Sequence, residues 1–136
     1  YATQDGRYLS IGSLEPQFMQ GLAQALELPI ILEKGNSFAP EDRAAVKQAI
    51  QNRIKSKPLA EWQTLFAALD VCVEPVLKLE EALRSDLAQQ REWLVQVPLK
   101  PDSQQTEAQL ACPIKFSRSK IRYDFVGQFL GESEKW

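Results

Sequence analysis

Apolar and polar side chains alternate near the start of the chain and then change to a helical spacing. The alternation over residues 7–14, behind the turn signal Asp5-Gly6, predicts a strand that forms a hairpin with residues 1–3. Pro16 ends this strand, because proline suits the first position of a helix. The helix is expected to reach about Leu28, with an apolar stripe of Phe18, Leu22, Ala25 and Leu26.

Two longer helices are predicted after a loop at residues 29–39, which is rich in Pro, Gly, Asn and Ser. The first begins at Pro40 and ends before Pro58, and its charges suit the helix dipole. Its apolar face is Val46, Ala49, Ile50 and Ile54. The second has the clearest amphipathic spacing in the chain, in Trp62, Leu65, Phe66 and Leu69. We interpret Trp62, Phe66 and Phe18 as core residues rather than as a surface on which bases stack.

The rest of the chain predicts short elements. Pro75 makes residues 71–77 an edge strand or an extended segment, because proline has no backbone donor. The patterns that follow predict a helix at 79–87, a strand at 92–97, a polar loop at 98–109 and a strand at 110–116. The predicted fold class is α+β, with one small antiparallel sheet packed with three to four helices on one side.

This domain is expected to span residues 1–116. Residues 117–136 mix basic, aromatic and glycine residues without sustained periodicity, which predicts an irregular tail that packs on something else. A chain of 136 residues with 44% hydrophobic side chains is long enough for one ordinary core.

The overall charge excludes some classes of partner. Sixteen basic and eighteen acidic residues give a net charge of -2, so no electrostatic footprint for nucleic acid or for an anionic membrane is present. The sequence has no apolar run of membrane-spanning length and no signal peptide, and we expect a cytoplasmic protein.

Cysteine and histidine usage restricts the chemistry. Cys72 and Cys112 lie far apart without metal-ligand spacing, so we predict reduced, mostly buried thiols and no metal site. The chain contains no histidine, so these residues alone cannot build a Ser-His-Asp, Cys-His or His-metal site. Because the chain begins at Tyr1 rather than at Met, we expect a fragment of a longer protein that carries the missing chemistry.

Three acidic or thiol side chains are candidates for function. Glu15 precedes a helix, where free backbone N–H groups favour an ionised carboxylate that could orient a cationic partner; a helix cap or a surface charge is the alternative. Asp70 follows a helix. Its carboxylate either accepts a hydrogen bond that holds the loop or has a functional role, and the loop hydrogen bond is favoured. Cys72 lacks a neighbouring base or cation, which favours a core role over a nucleophile.

A basic cluster near the end of the chain is the last candidate. It comprises Lys115, Arg118, Lys120 and Arg122, interleaved with Phe116 and Tyr123. Such a cluster attracts anions, including the phosphates of a nucleotide cofactor. A solvated strand edge that its lysines protect from aggregation explains the same pattern and is the favoured interpretation.

Three blocks in order resemble one known family. They are YATQDGRYLSIGSLEPQF, LAEWQTLFAALDVCVEPVLKLEEAL and CPIKFSRS. Together they resemble the small C-terminal domain of the family III CoA-transferase group, of CaiB/BaiF type, which includes α-methylacyl-CoA racemase. The resemblance covers most of the chain, and G-x-L-E-P-Q-F and D-x-C-V-x-P-V are its most specific motifs. After Leu83 the run SDLAQQREW follows the family only loosely.

The resemblance implies an interlocked homodimer, in which each subunit has a large Rossmann-like domain and this small α+β domain. It implies that the tail at 117–136 returns to the large domain. It also implies an acyl-CoA substrate, so that coenzyme A enters as part of the substrate and no cofactor is tightly bound. No membrane or nucleic-acid partner is implied.

The resemblance also implies a role for Glu15. In the racemase branch a histidine and an aspartate of the large domain exchange the proton α to the thioester carbonyl, and the glutamate at the Glu15 position supports that histidine. In the fragment itself, the position of Glu15 before a helix predicts that the carboxylate also caps the helix. In the transferase branch an aspartate of the large domain becomes the acyl-enzyme nucleophile. The motif GSLEPQF favours the racemase branch; CoA transfer and a non-enzymatic interaction module are the alternatives, and the fragment alone is expected to be inactive.

Overall fold

The computed structural model of the protein describes residues 1–127. The chain divides into two compact units, Tyr1–Val76 and Leu77–Trp136. The first unit consists of β1 (Leu9–Ile11), α1 (Pro16–Leu26), α2 (Ile30–Lys34), α3 (Pro40–Ile54), α4 (Leu59–Ala67) and β2 (Val73–Pro75). Strands β1 and β2 pair antiparallel, with Leu9 opposite Pro75 and Ile11 opposite Val73.

The predicted turn at Asp5-Gly6 is confirmed. Gly6 has a φ of 72°, a backbone conformation that glycine adopts without a steric cost, and the Thr3 N–H donates to the Arg7 carbonyl at 2.8 Å. Ala2 then forms a single antiparallel bridge with Tyr8. The regular strand is shorter than expected, since β1 covers only residues 9–11.

The core of the first unit lies between its helices and the inner face of β1 and β2. Trp62, Leu26 and Ile54 are its most deeply buried large side chains. The rest of the buried apolar cluster is Leu9, Met19, Leu22, Ala23, Ile31, Val46, Ile50, Leu59, Phe66 and Val73. Burying these side chains supplies most of the favourable free energy of folding.

The helix boundaries follow the predictions with three differences. The expected loop at 29–39 contains α2, whose Ile31 is buried in the core. Helix α1 turns Met19 and Ala23 inward, and leaves Phe18 and Ala25 only half-buried. Helix α4 ends at Ala67, so Leu69 lies beyond it and is 43% exposed. The apolar stripes therefore located α1, α3 and α4, but the stripe of α1 did not give the rotation of its buried face.

The second unit consists of α5 (Leu79–Leu83), α6 (Asp86–Gln90), β3 (Leu94–Pro98) and β4 (Thr106–Leu110). Strands β3 and β4 form an antiparallel hairpin in which Val97 lies opposite Glu107. The single helix expected at 79–87 is wrong. Ser85 separates α5 from α6, because its hydroxyl accepts the Ala88 N–H at 3.2 Å and begins a new helix.

The polar loop expected at 98–109 and the strand expected at 110–116 are also wrong. The second strand of the hairpin is β4, which has the polar sequence TEAQL. Four of its five residues are exposed, so neither face required apolar side chains and the alternation that marks a half-buried strand is missing.

The α+β class is confirmed. The described residues form two two-stranded antiparallel sheets and six helices, where one sheet and three to four helices were expected. Residues 117–127 contain no helix or strand; that the domain ends at residue 116 and that the tail returns to a large domain stay predictions. Among the residues described, no helix is both long and apolar enough to cross a membrane.

Candidate functional site

Glu15 lies at the N-cap position of α1 with an extended backbone. Its carbonyl accepts the Met19 N–H at 2.9 Å. Its side chain is exposed and makes no capping hydrogen bond, so the prediction that its carboxylate caps the helix is wrong. Glutamate is an uncommon cap, because shorter side chains such as Ser, Thr, Asp and Asn reach the N–H groups of the second and third helical residues more readily. The carboxylate is therefore available to a partner.

Backbone hydrogen bonds hold the segment before Glu15. The Gly12 N–H donates to the Cys72 carbonyl at 2.8 Å, and the Leu14 N–H donates to the Gly12 carbonyl at 2.8 Å. A Cβ added at Gly21 of α1 would lie 2.8 Å from a methyl carbon of Val71, so the helix approaches the 70–72 segment closely. The two most specific motifs of the sequence thus meet in the first unit.

Ser13 is a buried polar residue close to Glu15 that the sequence reasoning missed. Its side chain is 7% exposed, and its hydroxyl has no hydrogen-bond partner among residues 1–127. A buried polar group without a partner costs about 1–3 kcal/mol, so this position is unfavourable unless another group reaches it. The sequence signal was weak, because Ser13 is one of several polar residues in the apolar-rich stretch before α1.

Asp70 and Cys72 differ from their predicted environments. Asp70 is exposed, and its carboxylate makes no hydrogen bond within the described part of the chain, so the favoured loop bond is not formed. Cys72 is exposed and Cys112 is half-buried, and neither is in a disulfide. The predicted burial is wrong for Cys72, because Val73 takes the inward position at the start of β2.

The basic cluster belongs to the second unit and is exposed. It lies in no strand of the described chain, so its interpretation as a strand edge is wrong. Arg122 pairs with Asp124 at 3.0 Å, which reduces its availability to an anion. The Tyr123 hydroxyl accepts the Cys112 N–H at 2.8 Å. This hydrogen bond holds the segment around Tyr123 against the residues that follow β4.

Two carboxylates with lowered pKa values, those of Asp5 and Asp42, lie elsewhere in the first unit. A hydrogen bond from the Thr3 hydroxyl, with a further one from the Leu59 N–H, lowers the pKa of Asp5. The ammonium group of Lys34 and the hydroxyl of Ser37 lower the pKa of Asp42. These carboxylates connect elements of the fold. Within residues 1–127 no three metal-ligating side chains form a cluster.

Two solved structures share this fold. The orthorhombic form of Rv3272 from M. tuberculosis superposes with a TM-score of 0.72 at 18% identity, over 91% of this chain and 35% of that one. The D175A mutant of Rv3272 superposes with a TM-score of 0.66 at 19% identity, over 86% of this chain and 32% of that one. This protein therefore has the fold of an α+β domain. In these two neighbours the matching domain makes up about a third of the chain.

The sequence matches CoA-transferase family III over residues 1–127, and the chain belongs to this family. It is 34% identical to the alpha-methylacyl-CoA racemase of Homo sapiens over 91 residues, which are 67% of this chain and 24% of the relative. The Mus musculus racemase is 36% identical over 83 residues, 61% of this chain and 22% of the relative. A CaiB/baiF CoA-transferase family protein of Caenorhabditis elegans is 26% identical over 81 residues, 60% of this chain and 22% of the relative. The chain thus spans about a quarter of the curated relatives that it matches, and the predicted resemblance is confirmed.

Proposed function

We propose that this chain is the small domain of an acyl-CoA racemase, which exchanges the proton α to the carbonyl of a CoA thioester. The observation that carries the proposal is the similarity to two proteins named alpha-methylacyl-CoA racemase. Family membership supports an enzyme that acts on acyl-CoA. The narrower choice of α-proton exchange rests on these relatives and on Glu15.

The geometry around Glu15 suits a positioning residue. Its carboxylate is exposed at the start of α1 and makes no hydrogen bond with the described residues. The chain has no histidine, so the imidazole that moves the proton comes from another part of the protein. A carboxylate that accepts the N–H of an imidazole fixes its tautomer and makes the other ring nitrogen a stronger base.

The proposed reaction has two proton transfers. A base removes the α proton, the electron pair of the C–H bond moves to the thioester oxygen to give an enolate, and an acid returns a proton to the opposite face. Coenzyme A is a part of the substrate, and no tightly bound cofactor is proposed. Glu15 acts through the imidazole and touches neither the proton nor the substrate.

The first prediction tests this role by replacing Glu15 with Gln in the whole protein. Turnover is expected to fall by about 10- to 100-fold, by analogy with the loss seen when the carboxylate partner of a metal-ligating histidine is removed. Folding is expected to change little, because the exposed carboxylate makes no hydrogen bond with the described residues. The measurement is deuterium uptake at the α carbon of an acyl-CoA in heavy water.

A pH profile separates positioning from a structural effect. Loss of the carboxylate lowers the pKa of the imidazole, so the acid limb of the rate profile should move to lower pH. The matched control is Glu41→Gln, which changes an exposed glutamate in the first turn of α3, close to a helix start as Glu15 is. If Glu15→Gln leaves both the turnover and the acid limb of the profile unchanged, Glu15 has no positioning role and is only a charged surface residue.

CoA transfer between carboxylic acids is the second candidate, because the matched family is described as a CoA-transferase family. In that reaction an aspartate outside this chain would attack the thioester and form an acyl-enzyme. Incubation of the whole protein with an acyl-CoA and an isotope-labelled acid distinguishes the two. If labelled thioester forms without deuterium uptake, the activity is CoA transfer and not racemisation. If neither product forms, the result favours a non-enzymatic interaction module.

A further inference from the structure

We propose that a cavity in the second unit binds a carboxylate that carries an apolar hydrocarbon body. The α6–β4 cavity has a volume of about 650 Å³ and is lined by Leu87, Arg91, Trp93, Leu110, Pro113 and Lys115, among others. This volume lies within the usual range of small-molecule sites. The inference concerns the second unit alone and does not depend on the proposed racemase activity.

The backbone frames the cavity on three sides. The Trp93 N–H donates to the Ala88 carbonyl at 2.9 Å, which brings the chain back after α6, and the Ala111 N–H donates to the Trp93 carbonyl at 2.8 Å. The ammonium group of Lys115 lies 3.4 Å from the Arg91 carbonyl. The end of α6, the start of β3 and the segment after β4 are therefore held around one space.

The apolar part of the lining suits a hydrocarbon. Leu87, Leu110 and Trp93 are among the exposed large apolar residues of the chain, with exposed fractions of 54%, 65% and 36%. Removing apolar surface of this kind from water is favourable in proportion to the area that is covered. An aliphatic chain in the cavity would gain this contribution from three sides of its body.

The charged part of the lining selects the sign of the ligand. Arg91 and Lys115 are both cationic, and none of the lining residues within 1–127 is a carboxylate. The guanidinium of Arg91 makes no hydrogen bond within residues 1–127, so its planar donors are available to a carboxylate. Two cations beside apolar walls match an anionic head on an apolar body better than either a neutral lipid or a small inorganic anion.

The test uses sodium decanoate as the probe and decanol as its neutral counterpart, in calorimetric titrations of the protein below the micelle concentration of decanoate. Decanoate is expected to bind with saturation and at least about tenfold more tightly than decanol, since a hydrogen bond to a charged group contributes about this much. Arg91→Gln and Lys115→Gln are each expected to weaken decanoate binding severalfold without affecting decanol.

Two control variants make the result decisive. Arg118→Gln removes an exposed cation outside the lining and should leave decanoate binding unchanged. Ala111→Phe fills the cavity and should abolish binding of both probes, with circular dichroism to show that the chain still folds. Equal affinities for decanoate and decanol, absence of saturation, or an equal loss in Arg118→Gln would each overturn the proposal. None of these outcomes bears on Glu15, which lies in the first unit.

Discussion

At the scale of single residues, Asp5 shows how one carboxylate connects distant parts of the first unit. Its two oxygens accept the Leu59 N–H at 3.2 and 3.3 Å, at the beginning of α4. It also accepts the hydroxyl of Thr3, a side chain that is 2% exposed. The sequence identified Asp5 only as a turn residue, because its helix partner lies 54 positions further along the chain.

Asp5 therefore predicts an acid-dependent part of the stability. Its pKa in the folded state is lowered, chiefly by the Thr3 hydrogen bond. A lowered folded pKa means that the contribution is present above the unfolded pKa of about 3.9 and is lost as the pH falls through the folded value. Asp5→Asn should flatten the fall of Tm with pH in this range.

The measurement is thermal unfolding at closely spaced values of pH below about 5, where Asp5 titrates. Asp70→Asn is the matched control, because Asp70 is an exposed aspartate of the same unit without a hydrogen bond in the described chain. Parallel curves for Asp5→Asn and the unchanged protein would show that the Asp5 contacts do not contribute to acid stability.

At the scale of elements, side chains from neighbouring helices complete the helix ends. Arg53 of α3 donates to the Leu26 carbonyl at 2.9 Å and pairs with Glu27 at 2.6 Å, where α1 ends. The indole N–H of Trp62 donates to the Ile54 carbonyl at 2.8 Å, where α3 ends. The last carbonyls of a helix lack partners within the helix, so these bonds connect α1, α3 and α4.

Trp62→Phe is predicted to lower the free energy of unfolding by about 1–3 kcal/mol, because the buried Ile54 bond is lost and a small cavity is left. Much of the aromatic contact with Phe66, at 5.7 Å between ring centroids, is expected to remain. Trp93→Phe is the control, because Trp93 is 36% exposed and the expected change is within about 0.5 kcal/mol. Urea unfolding followed by circular dichroism measures the free energy of unfolding of both variants. Equal losses in Trp62→Phe and Trp93→Phe would contradict a special role for the Trp62 hydrogen bond.

At the scale of the whole molecule, the two units differ in the size of their cores. The buried apolar cluster lies entirely in the first unit. In the described part of the second unit only Ala88 and Val97 are buried apolar residues. The matched relatives are about four times as long as the stretch that they share with this chain. The expected homodimer and the expected large domain stay proposals.

This difference predicts unequal hydrogen exchange. Amides of α3 and α4 should exchange more slowly than those of β3 and β4, since local opening is easiest where few apolar contacts are broken. Exchange followed by mass spectrometry of peptides from residues 40–67 and 94–110 measures it. Equal protection of these peptides would show that the second unit gains its stability from contacts other than a buried core.

The sequence by itself determined the family, the α+β class and the positions of α1, α3 and α4, because ordered motifs, proline positions and helical periodicity are local patterns. It missed α2, which is five residues long, and β4, whose polar faces carry no alternation. For the candidate site, it located Glu15 at the start of a helix. Only the tertiary structure decided that the Glu15 carboxylate is uncapped, that Gly12 meets Cys72, that Ser13 is buried and that a cavity forms beside Arg91. These features depend on contacts and exclusion from solvent set by residues far apart along the chain, which no local pattern of side chains encodes.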